Sequence, residues 1–366
     1  MKITTESIVR DYRVMFQSRQ ASLLGRKEVF SGKAKFGIFG DGKEAAQVAM
    51  ARSFRDGDFR AGYYRDQTFM LAAGLLTLDE FFAQLYAHAD VRADPASAGR
   101  QMTAHFATRM LDDDGAFRVL AESKNSSADL SPTGSQMPRL VGLGYASKLF
   151  RQIAELSAWP RLSNRGNEIA FGTIGNASCA EGLFWESVNA IGVLQVPVII
   201  SIWDDHYGIS VPNEFQICRN DISAVLSGFQ RENGDAPGFD VHRVPGWDYA
   251  ALCETYLGAA EVARRDHVPS IIHVTEMTQP QGHSTSGSHE RYKDESRLAW
   301  EERHDCIARM REWMLSQHIV DRDELDHIEQ EDKEVANAAR RRAWDAYARE
   351  LRAERDELVA TLSWGG

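Results

Sequence analysis

The sequence has few cysteines and no long apolar run. Its four cysteines (Cys179, Cys218, Cys253 and Cys306) are scattered, without the short spacing of a metal-binding cluster. This usage is typical of a reducing compartment rather than of a disulfide-bonded secreted protein. The opening residues MKITTESIVRDYRVMF lack the apolar centre of a signal peptide, and no segment is long enough to span a membrane. We therefore expect a cytoplasmic protein with no membrane partner.

Positive charge is also scarce. Lys and Arg number 42 against 53 Asp and Glu, which gives a formal net charge of −11. This balance argues against nucleic acid or an anionic membrane surface as the main partner, and an anionic ligand would need a local concentration of positive charge. No Gly-x-Gly-x-x-Gly motif follows an early strand, which disfavours the alternative of a nucleotide-binding oxidoreductase.

Three stretches of the chain differ in character. Residues 1–100 are predicted to be mainly helical, through KEAAQVAMARSF and TLDEFFAQLYAHA, with a loop at RDGDFRAGYYRDQ between them. Residues 100–295 alternate β-type runs (EIAFGTIG, VPVIISIW, VHRVPG, PSIIHVTEM) with helical patterns (GLFWESVNAIGVLQ, YAALCETYLGAAEVARRD). Residues 296–366 are charged and helical, which predicts a surface or interface helix. We expect one structural domain of the α/β class, with a mostly parallel sheet, helices on both faces, and helical N- and C-terminal extensions.

Polar loops follow three of the predicted strands. NASCAEG follows the first, DDHYGIS the second, and the sixteen residues TQPQGHSTSGSHERYK (278–293) the third. In such sheets ligands bind where strands end, so these loops are candidate site segments. Each also has a plain structural explanation: a tight turn, a pair of solvated acids, and a surface histidine.

Two of these loops bring possible metal ligands together. Asn176 and Asp205 follow consecutive strands that one crossover helix connects. A right-handed crossover places both strand ends at the same edge of the sheet, so the two side chains can converge on one ion. Oxygen ligands in small number, with room for water and ligand phosphates, suit Mg²⁺ better than a transition metal. The sequence therefore predicts a magnesium site at this edge.

In their order along the chain, these motifs resemble those of one enzyme family. The segment from GNASCAEG to DDHYGISVP is similar to the metal-diphosphate motif of alpha subunits of thiamine-diphosphate-dependent 2-oxoacid dehydrogenases. YYRDQ resembles that family's Tyr-Arg motif, GRQMTAHF and SPTGSQMP its next two signatures, and GHSTS its histidine loop. The resemblance covers about residues 10–360 and is closest to the alpha half of fused alpha-beta chains. It implies a thiamine-diphosphate-binding fold.

The resemblance also implies roles for individual residues. The implied magnesium ligands are Asn176, Asp205 and the carbonyl of Tyr207. The implied cofactor-binding residues are Tyr64, Arg65, Ser131, Gly134, Gly175, Ala177 and His283. His283 would also be catalytic, facing the reacting carbon to donate a proton or to orient the substrate. Its loop would close over cofactor and substrate as a mobile lid.

Four positions depart from the family pattern. The usual acid at the first metal position is Asn176, and the usual asparagine at the second is Asp205, so the pair still offers one carboxylate and one amide. Trp203 and Gln279 stand where some relatives carry arginine, which removes positive charge near the diphosphate. One alternative is therefore a catalytically silent scaffold of the same fold that has lost metal binding through Asn176.

The resemblance further implies the reaction and its partners. The reaction would be oxidative decarboxylation of a 2-oxo acid, with acyl transfer to a lipoyl group, and the cofactor would hold the electrons released as CO₂ leaves. A beta subunit or beta domain would supply the activating glutamate, usually in an α₂β₂ assembly, and a lipoyl-bearing acyltransferase would accept the acyl group. The chain is expected to be either a separate alpha subunit or the alpha portion of a fused protein.

Overall fold

The computed structural model describes residues 3–232 and 236–363. Its helices are α1 Thr5–Phe30, α2 Glu44–Ser53, α3 Gln67–Ala73, α4 Leu78–Leu85, α5 Gln136–Gln152, α6 Gly182–Leu194, α7 Ile222–Leu226, α8 Tyr249–Asp266, α9 Glu295–Arg303, α10 Cys306–Ser316 and α11 Arg322–Ser363. Its strands are β1 Phe59–Ala61, β2 Asn125–Ser126, β3 Ala170–Gly175, β4 Val198–Trp203, β5 Tyr207–Gly208, β6 Val211–Pro212, β7 Asp240–Pro245 and β8 Ser270–Thr275.

Six of these strands form one sheet in the order β2-β1-β3-β4-β8-β7. Every neighbouring pair in it is parallel. β5 and β6 form a separate antiparallel hairpin. The predicted strands of the core and the helices α6 and α8 between them are confirmed, and so is the mostly parallel α/β class.

The central strands are buried on both faces. On β4, Ile199 and Trp203 belong to the cluster that includes residues of α1, α2, α8 and α10. Ile200 and Ile202 belong to the opposite cluster, which includes residues of α5 and α6. A strand covered by helices on both sides needs apolar residues at nearly every position. This explains why VPVIISIW is apolar at all positions but Ser201 rather than alternating.

The helical extensions at the two ends of the chain pack against each other. α11 contacts α1 and α4, and Ala336 and Ala343 of α11 share a buried cluster with Phe81 and Phe82 of α4. Residues 351–363 at the end of α11 are exposed. The charged tail is therefore a surface helix that packs along one side, except over its last turns, where every side is exposed.

One prediction of local structure was wrong. The segment RDGDFRAGYYRDQ was expected to be a loop, but it contains β1, which pairs with β3 in the sheet. The strand is only three residues long, and its central residue Arg60 is a fully buried cation. A charged residue in so short a strand removes the apolar pattern by which buried strands are identified. The consequence is that the Tyr-Arg motif lies at the end of a sheet strand.

Local capping sets several helix boundaries. Thr4 and Thr77 form capping boxes at the starts of α1 and α4. Asp248 and Asp305 accept backbone hydrogen bonds at the starts of α8 and α10. These side chains satisfy amide groups that the first turn of a helix leaves without partners.

Within the described residues, no helix combines the length and apolar character that crossing a membrane requires.

Candidate active site

A cleft of about 340 Å³ lies where β3 and β4 end. The register of the two strands pairs Gly175 with Trp203, and the backbone N–H of Asn176 donates to the Trp203 carbonyl at 3.0 Å. The predicted site residues that line this strand-end cleft are Tyr64, Arg65, Gly175, Asn176, Ala177, Asp205, Tyr207 and His283. The structure thus brings together residues that are up to 219 positions apart in the sequence, since Tyr64 and His283 share one cleft (283 − 64).

The predicted metal ligands lie at adjacent strand ends. Asn176 is buried, and its side-chain amide donates to Asn213 Oδ1 at 3.2 Å. Asp205 is also buried, and its Oδ1 accepts the Tyr207 backbone N–H at 3.2 Å. Asn176 and Asp205 are thus set beside the same cleft, as the crossover argument predicted.

The β5–β6 hairpin closes one side of the cleft. Tyr207 pairs with Pro212 across the hairpin, and Gly208 pairs with Val211. A β-carbon at Gly208 would come within 2.5 Å of the Ala177 β-carbon, so a larger residue could not occupy this position without a shift. Glycine therefore allows the hairpin to approach the loop after β3.

A buried ionic network holds the turn that carries Tyr64 and Arg65. Arg60 donates from Nε to Asp66 Oδ2 at 2.8 Å and makes two bonds to Asp129, at 3.0 and 3.1 Å. Asp66 also accepts from the side chain of Thr173 on β3. The two ends of the turn are therefore bonded to the sheet. These bonds set the direction in which the Arg65 side chain extends from the turn.

Arg65 reaches from this turn to the histidine loop. Its Nη1 donates to the Phe39 carbonyl at 2.6 Å, and its Nη2 lies 3.0 Å from His283 Nδ1 and 3.1 Å from the His283 carbonyl. A guanidinium can only donate, so Nδ1 must be the acceptor. The neutral imidazole then carries its proton on Nε2. Arg65 therefore fixes both the orientation and the tautomer of His283.

His283 stays neutral over the physiological range. Burial, followed by the positive charge of Arg65, lowers the pKa of His283 to about 3. The unfolded chain would protonate this residue near its ordinary pKa of about 6.5, so between about pH 6.5 and 3 only the unfolded state binds the proton. The contribution of His283 to stability is thus complete above that range and falls as the pH is lowered through it.

We expect the NMR signal of the His283 Cε1 proton to keep one chemical shift between about pH 5 and pH 8, because the ring does not titrate there. Free histidine added to the same sample is the reference for ordinary titration, with a midpoint near pH 6.5. A midpoint near pH 6.5 for His283 would contradict the buried contact with Arg65.

The histidine loop is anchored to the N-terminal part of the chain. Arg26 of α1 donates to the carbonyls of Gln281 and Ser284 at 2.9 and 3.3 Å. The Gly37 amide donates to Thr285 Oγ1 at 2.9 Å, and the Thr285 amide returns a bond to the Gly37 carbonyl at 2.9 Å. The structure therefore places this loop over the cleft, and its closure as a mobile lid stays a prediction.

Two predicted residues lie outside the cleft lining. Ser131 is exposed, and its hydroxyl lies 2.9 Å from His105 Nε2. Gly134 has a φ of +76° and lies against Glu181. Thr133, between them, does line the cleft. The SPTGSQMP segment therefore borders the site through Thr133, and the assignment of Ser131 and Gly134 to the cofactor stays a prediction.

The sequence analysis missed Lys43, which lies at the bottom of the site. Its side chain is 2% exposed, and Nζ lies 3.0 Å from Asp205 Oδ2. Burial lowers the pKa of Lys43, and the charge of Asp205 opposes that shift. Burial alone would raise the pKa of Asp205, but the positive charges of Lys43 and Arg65 hold it well below its usual range. Lys43 directly follows Gly40-Asp41-Gly42, but nothing in that sequence distinguishes a buried lysine from one on the surface.

Other cleft residues were outside the predicted set. They are Tyr63, Ser178, Glu181, Gly208, Ile209 and Gln216, together with Trp203. Within residues 3–232 and 236–363, no group of three or more His, Cys, Asp or Glu side chains is arranged to hold a metal ion. The predicted magnesium ligands include only one such side chain, so an ion there would depend on amide, carbonyl, water and ligand oxygens.

Comparison with known proteins gives a consistent set of matches. The family model for the dehydrogenase E1 component matches residues 12–351. The chain is similar to the 2-oxoisovalerate dehydrogenase subunit alpha of Bacillus subtilis (strain 168), with 31% identity over 74% of this chain and 70% of that one. It is similar to the 2-oxoisovalerate dehydrogenase subunit alpha 1, mitochondrial, of Arabidopsis thaliana, with 26% identity over 77% of this chain and 52% of that one.

A third similar protein is the pyruvate dehydrogenase E1 component subunit alpha, mitochondrial, of Solanum tuberosum. The two are 26% identical over 82% of this chain and 66% of that one. The matches thus span between 52% and 70% of the length of these relatives. Because the family model covers most of the sequence, the chain belongs to the dehydrogenase E1 component family, as an alpha subunit of a 2-oxoacid dehydrogenase.

Proposed function

We propose that this chain binds thiamine diphosphate in the strand-end cleft and, with a beta partner, decarboxylates a 2-oxo acid oxidatively. The acyl group would pass to a lipoyl group on an acyltransferase, and the beta subunit or beta domain would supply the activating glutamate. The observation that carries this proposal is the convergence of Arg65, Asp205 and His283 on one cleft in a chain of the E1 family.

The cleft suits a diphosphate. Arg65 has five N–H donors, and its bonds to Phe39 and His283 use at most three of them, so donors remain for a ligand oxygen. Bonds from a guanidinium to phosphate are charge-assisted and directional. Lys43 adds a second cation at the same cleft. The local positive charge that an acidic protein needs for an anionic ligand is therefore present.

Asn176, Asp205 and the Tyr207 carbonyl are the residues that would hold Mg²⁺. One amide, one carboxylate and one carbonyl are oxygen ligands of the kind Mg²⁺ takes, with water and phosphate oxygens completing its octahedron. Both oxygens of Asp205 already accept hydrogen bonds, from Tyr207 N–H and from Lys43. An ion at this position would have to share the carboxylate with Lys43.

When bound, thiamine diphosphate supplies the electron sink for decarboxylation. The part of this chain is to hold the diphosphate, to exclude water and to present His283. The neutral ring, with its proton on Nε2, can donate a hydrogen bond to a substrate oxygen. It cannot accept a proton at Nδ1 while that atom accepts from Arg65. We therefore assign His283 to orienting the substrate through a hydrogen bond from Nε2.

His283→Ala tests this role. We expect cofactor affinity to change by less than about tenfold, since Arg65 remains, but reductive acylation of a lipoyl acceptor to fall by about 100-fold, as is usual when one preorganised hydrogen-bond donor is removed. The measurement is steady-state turnover of the chain assembled with its beta partner, beside a calorimetric titration of thiamine diphosphate. His289→Ala is the matched control, because His289 is on the same loop but outside the strand-end cleft. Equal turnover of wild type and His283→Ala would contradict the assignment.

A further inference from the structure

Lys43 is placed by a glycine that no larger residue could replace. Gly42 has a φ of +83°, a conformation that L-residues rarely adopt, and a β-carbon there would collide with the Thr278 carbonyl. The turn therefore brings the start of α2 directly against the histidine loop. Lys43 follows this turn at the N-cap position of α2 and extends beneath the strand-end cleft.

The contacts of Lys43 Nζ are those of an ammonium ion. Its three acceptors are Asp205 Oδ2 at 3.0 Å, the Thr278 carbonyl at 3.1 Å and Gln279 Oε1 at 2.7 Å. An ammonium group has three N–H donors, whereas a neutral amine has only two. Three acceptors, one of them a carboxylate, therefore hold a positive charge at this point.

Asp205 has no substitute as an acidic metal ligand. Its neighbour Asp204 accepts from the His206 amide at 2.8 Å and is paired with His273 Nε2 at 2.9 Å, with 1% of the residue exposed. Among the described residues that line the cleft, the other acid is Glu181, which is exposed at the start of α6. A divalent ion that enters the cleft therefore meets one buried carboxylate, and that carboxylate already has a cation on it.

The buried charges that line the cleft favour an anion. Lys43 and Arg65 contribute two positive charges and Asp205 contributes one negative charge, whereas the second acid of the lining, Glu181, is exposed and screened by water. The nearby Lys293 and Arg297 share one carboxylate, that of Glu301, at 2.7 and 2.9 Å, and do not line the described cleft. A diphosphate group carries several negative charges and would be attracted to the remaining positive charge without any metal ion.

We propose that the Lys43 ammonium is a built-in cation of the diphosphate site, competing with Mg²⁺ for Asp205 and providing part of the neutralisation that the metal would otherwise provide. This inference rests on the proposed function, in which the cleft binds thiamine diphosphate. It concerns how the negative charge of the diphosphate is neutralised in that cleft. Because Lys43 supplies part of the positive charge, cofactor binding depends less on the divalent ion.

The test is a calorimetric titration of thiamine diphosphate into the chain assembled with its beta partner, with saturating Mg²⁺ and with the metal removed by EDTA. For the wild-type protein we expect Kd to rise by less than about tenfold without metal, since the charge of Lys43 still attracts the diphosphate. For Lys43→Gln we expect a rise of about 100-fold, because only the metal can then replace the lost charge. Lys43→Arg should behave like the wild type.

Lys293→Gln is the matched control. It removes a buried lysine from the same region, but one that pairs with Glu301 instead of Asp205. We expect this control to keep the wild-type response to EDTA. A second readout needs no cofactor: electron paramagnetic resonance of Mn²⁺ should show about tenfold tighter ion binding in Lys43→Gln, where Asp205 is no longer paired with a cation. Thermal unfolding by circular dichroism confirms that each variant is folded.

The outcomes separate the two claims. If wild-type binding is abolished by EDTA, the inference about Lys43 is overturned and the proposed function stands; this comparison needs no variant. Unchanged Mn²⁺ affinity in folded Lys43→Gln would also overturn the inference. If the wild-type assembly fails to bind thiamine diphosphate even with Mg²⁺, the proposed function fails, and the inference fails with it.

Discussion

Replacing Arg65 with glutamine is expected to weaken thiamine diphosphate binding by about 100-fold even with Mg²⁺ present. A hydrogen bond to a charged group contributes about 1.5–3 kcal/mol, and about 1.4 kcal/mol corresponds to a factor of ten. Loss of two such bonds to phosphate, each at the lower end of that range, gives the expected change. The glutamine also leaves His283 Nδ1 without its donor, so the tautomer of the ring is no longer fixed.

The measurement is the calorimetric Kd with saturating Mg²⁺. Arg26→Gln is the matched control, since Arg26 binds carbonyls of the same loop at Gln281 and Ser284 but does not line the described cleft. We expect the control to stay within about threefold of the wild type, because a neutral amide can replace part of its bonding to carbonyls. Equal weakening in the two variants would mean that Arg65 acts only by anchoring the loop.

Arg60→Met is expected to lower the free energy of unfolding by about 3–5 kcal/mol, because it leaves buried acids without their cation. Arg60 and Asp66 are 0% exposed, and Asp129 is 6% exposed. Burial raises the pKa of Asp129 even with Arg60 present. Methionine fills part of the volume of arginine but offers neither carboxylate a donor. The turn that carries Arg65 would also lose its attachment to the sheet.

Urea denaturation followed by circular dichroism measures this change. Arg342→Met is the control, because Arg342 also makes two bonds to one carboxylate, at 2.8 and 2.6 Å to Asp79, but its side chain is 60% exposed. Exposed pairs contribute about 0–1 kcal/mol, so the control should be nearly as stable as the wild type. Similar losses in both variants would show that burial of the network does not determine its contribution.

The sequence predicted the strands in which several apolar residues give the same signal. Three strands are buried on both faces, so most of their residues are apolar and indicate a strand. They lie in EIAFGTIG, VPVIISIW and PSIIHVTEM. The convergence of Asn176 and Asp205 followed from topology alone, since parallel strands joined by one crossover end at the same edge. The short strand around Arg60 could not be found in this way, because three residues with a buried ion carry no apolar period.

The electrostatics of the site could not be predicted from the sequence. Trp203 and Gln279 indicated that positive charge had been lost, and the structure has Lys43 only 2.7 Å from Gln279. Lys43 and Gln279 are 236 residues apart. Only the tertiary structure, with Gly42 packed against the loop at Thr278, brings them into contact. A lysine at the start of a helix has no signal of its own that distinguishes a surface charge from a buried one.

The central claim is that the strand-end cleft is a diphosphate site, and a calorimetric comparison of three ligands tests it most directly. Thiamine diphosphate, thiamine and NAD would each be titrated with Mg²⁺ into the chain assembled with its beta partner. We expect thiamine diphosphate to bind at one site per alpha chain, thiamine to bind at least about 100-fold more weakly because it lacks the phosphates that Arg65 would bind and the charge of Lys43 would attract, and NAD not to bind. Equal affinity for thiamine and thiamine diphosphate, or binding of NAD alone, would contradict the account.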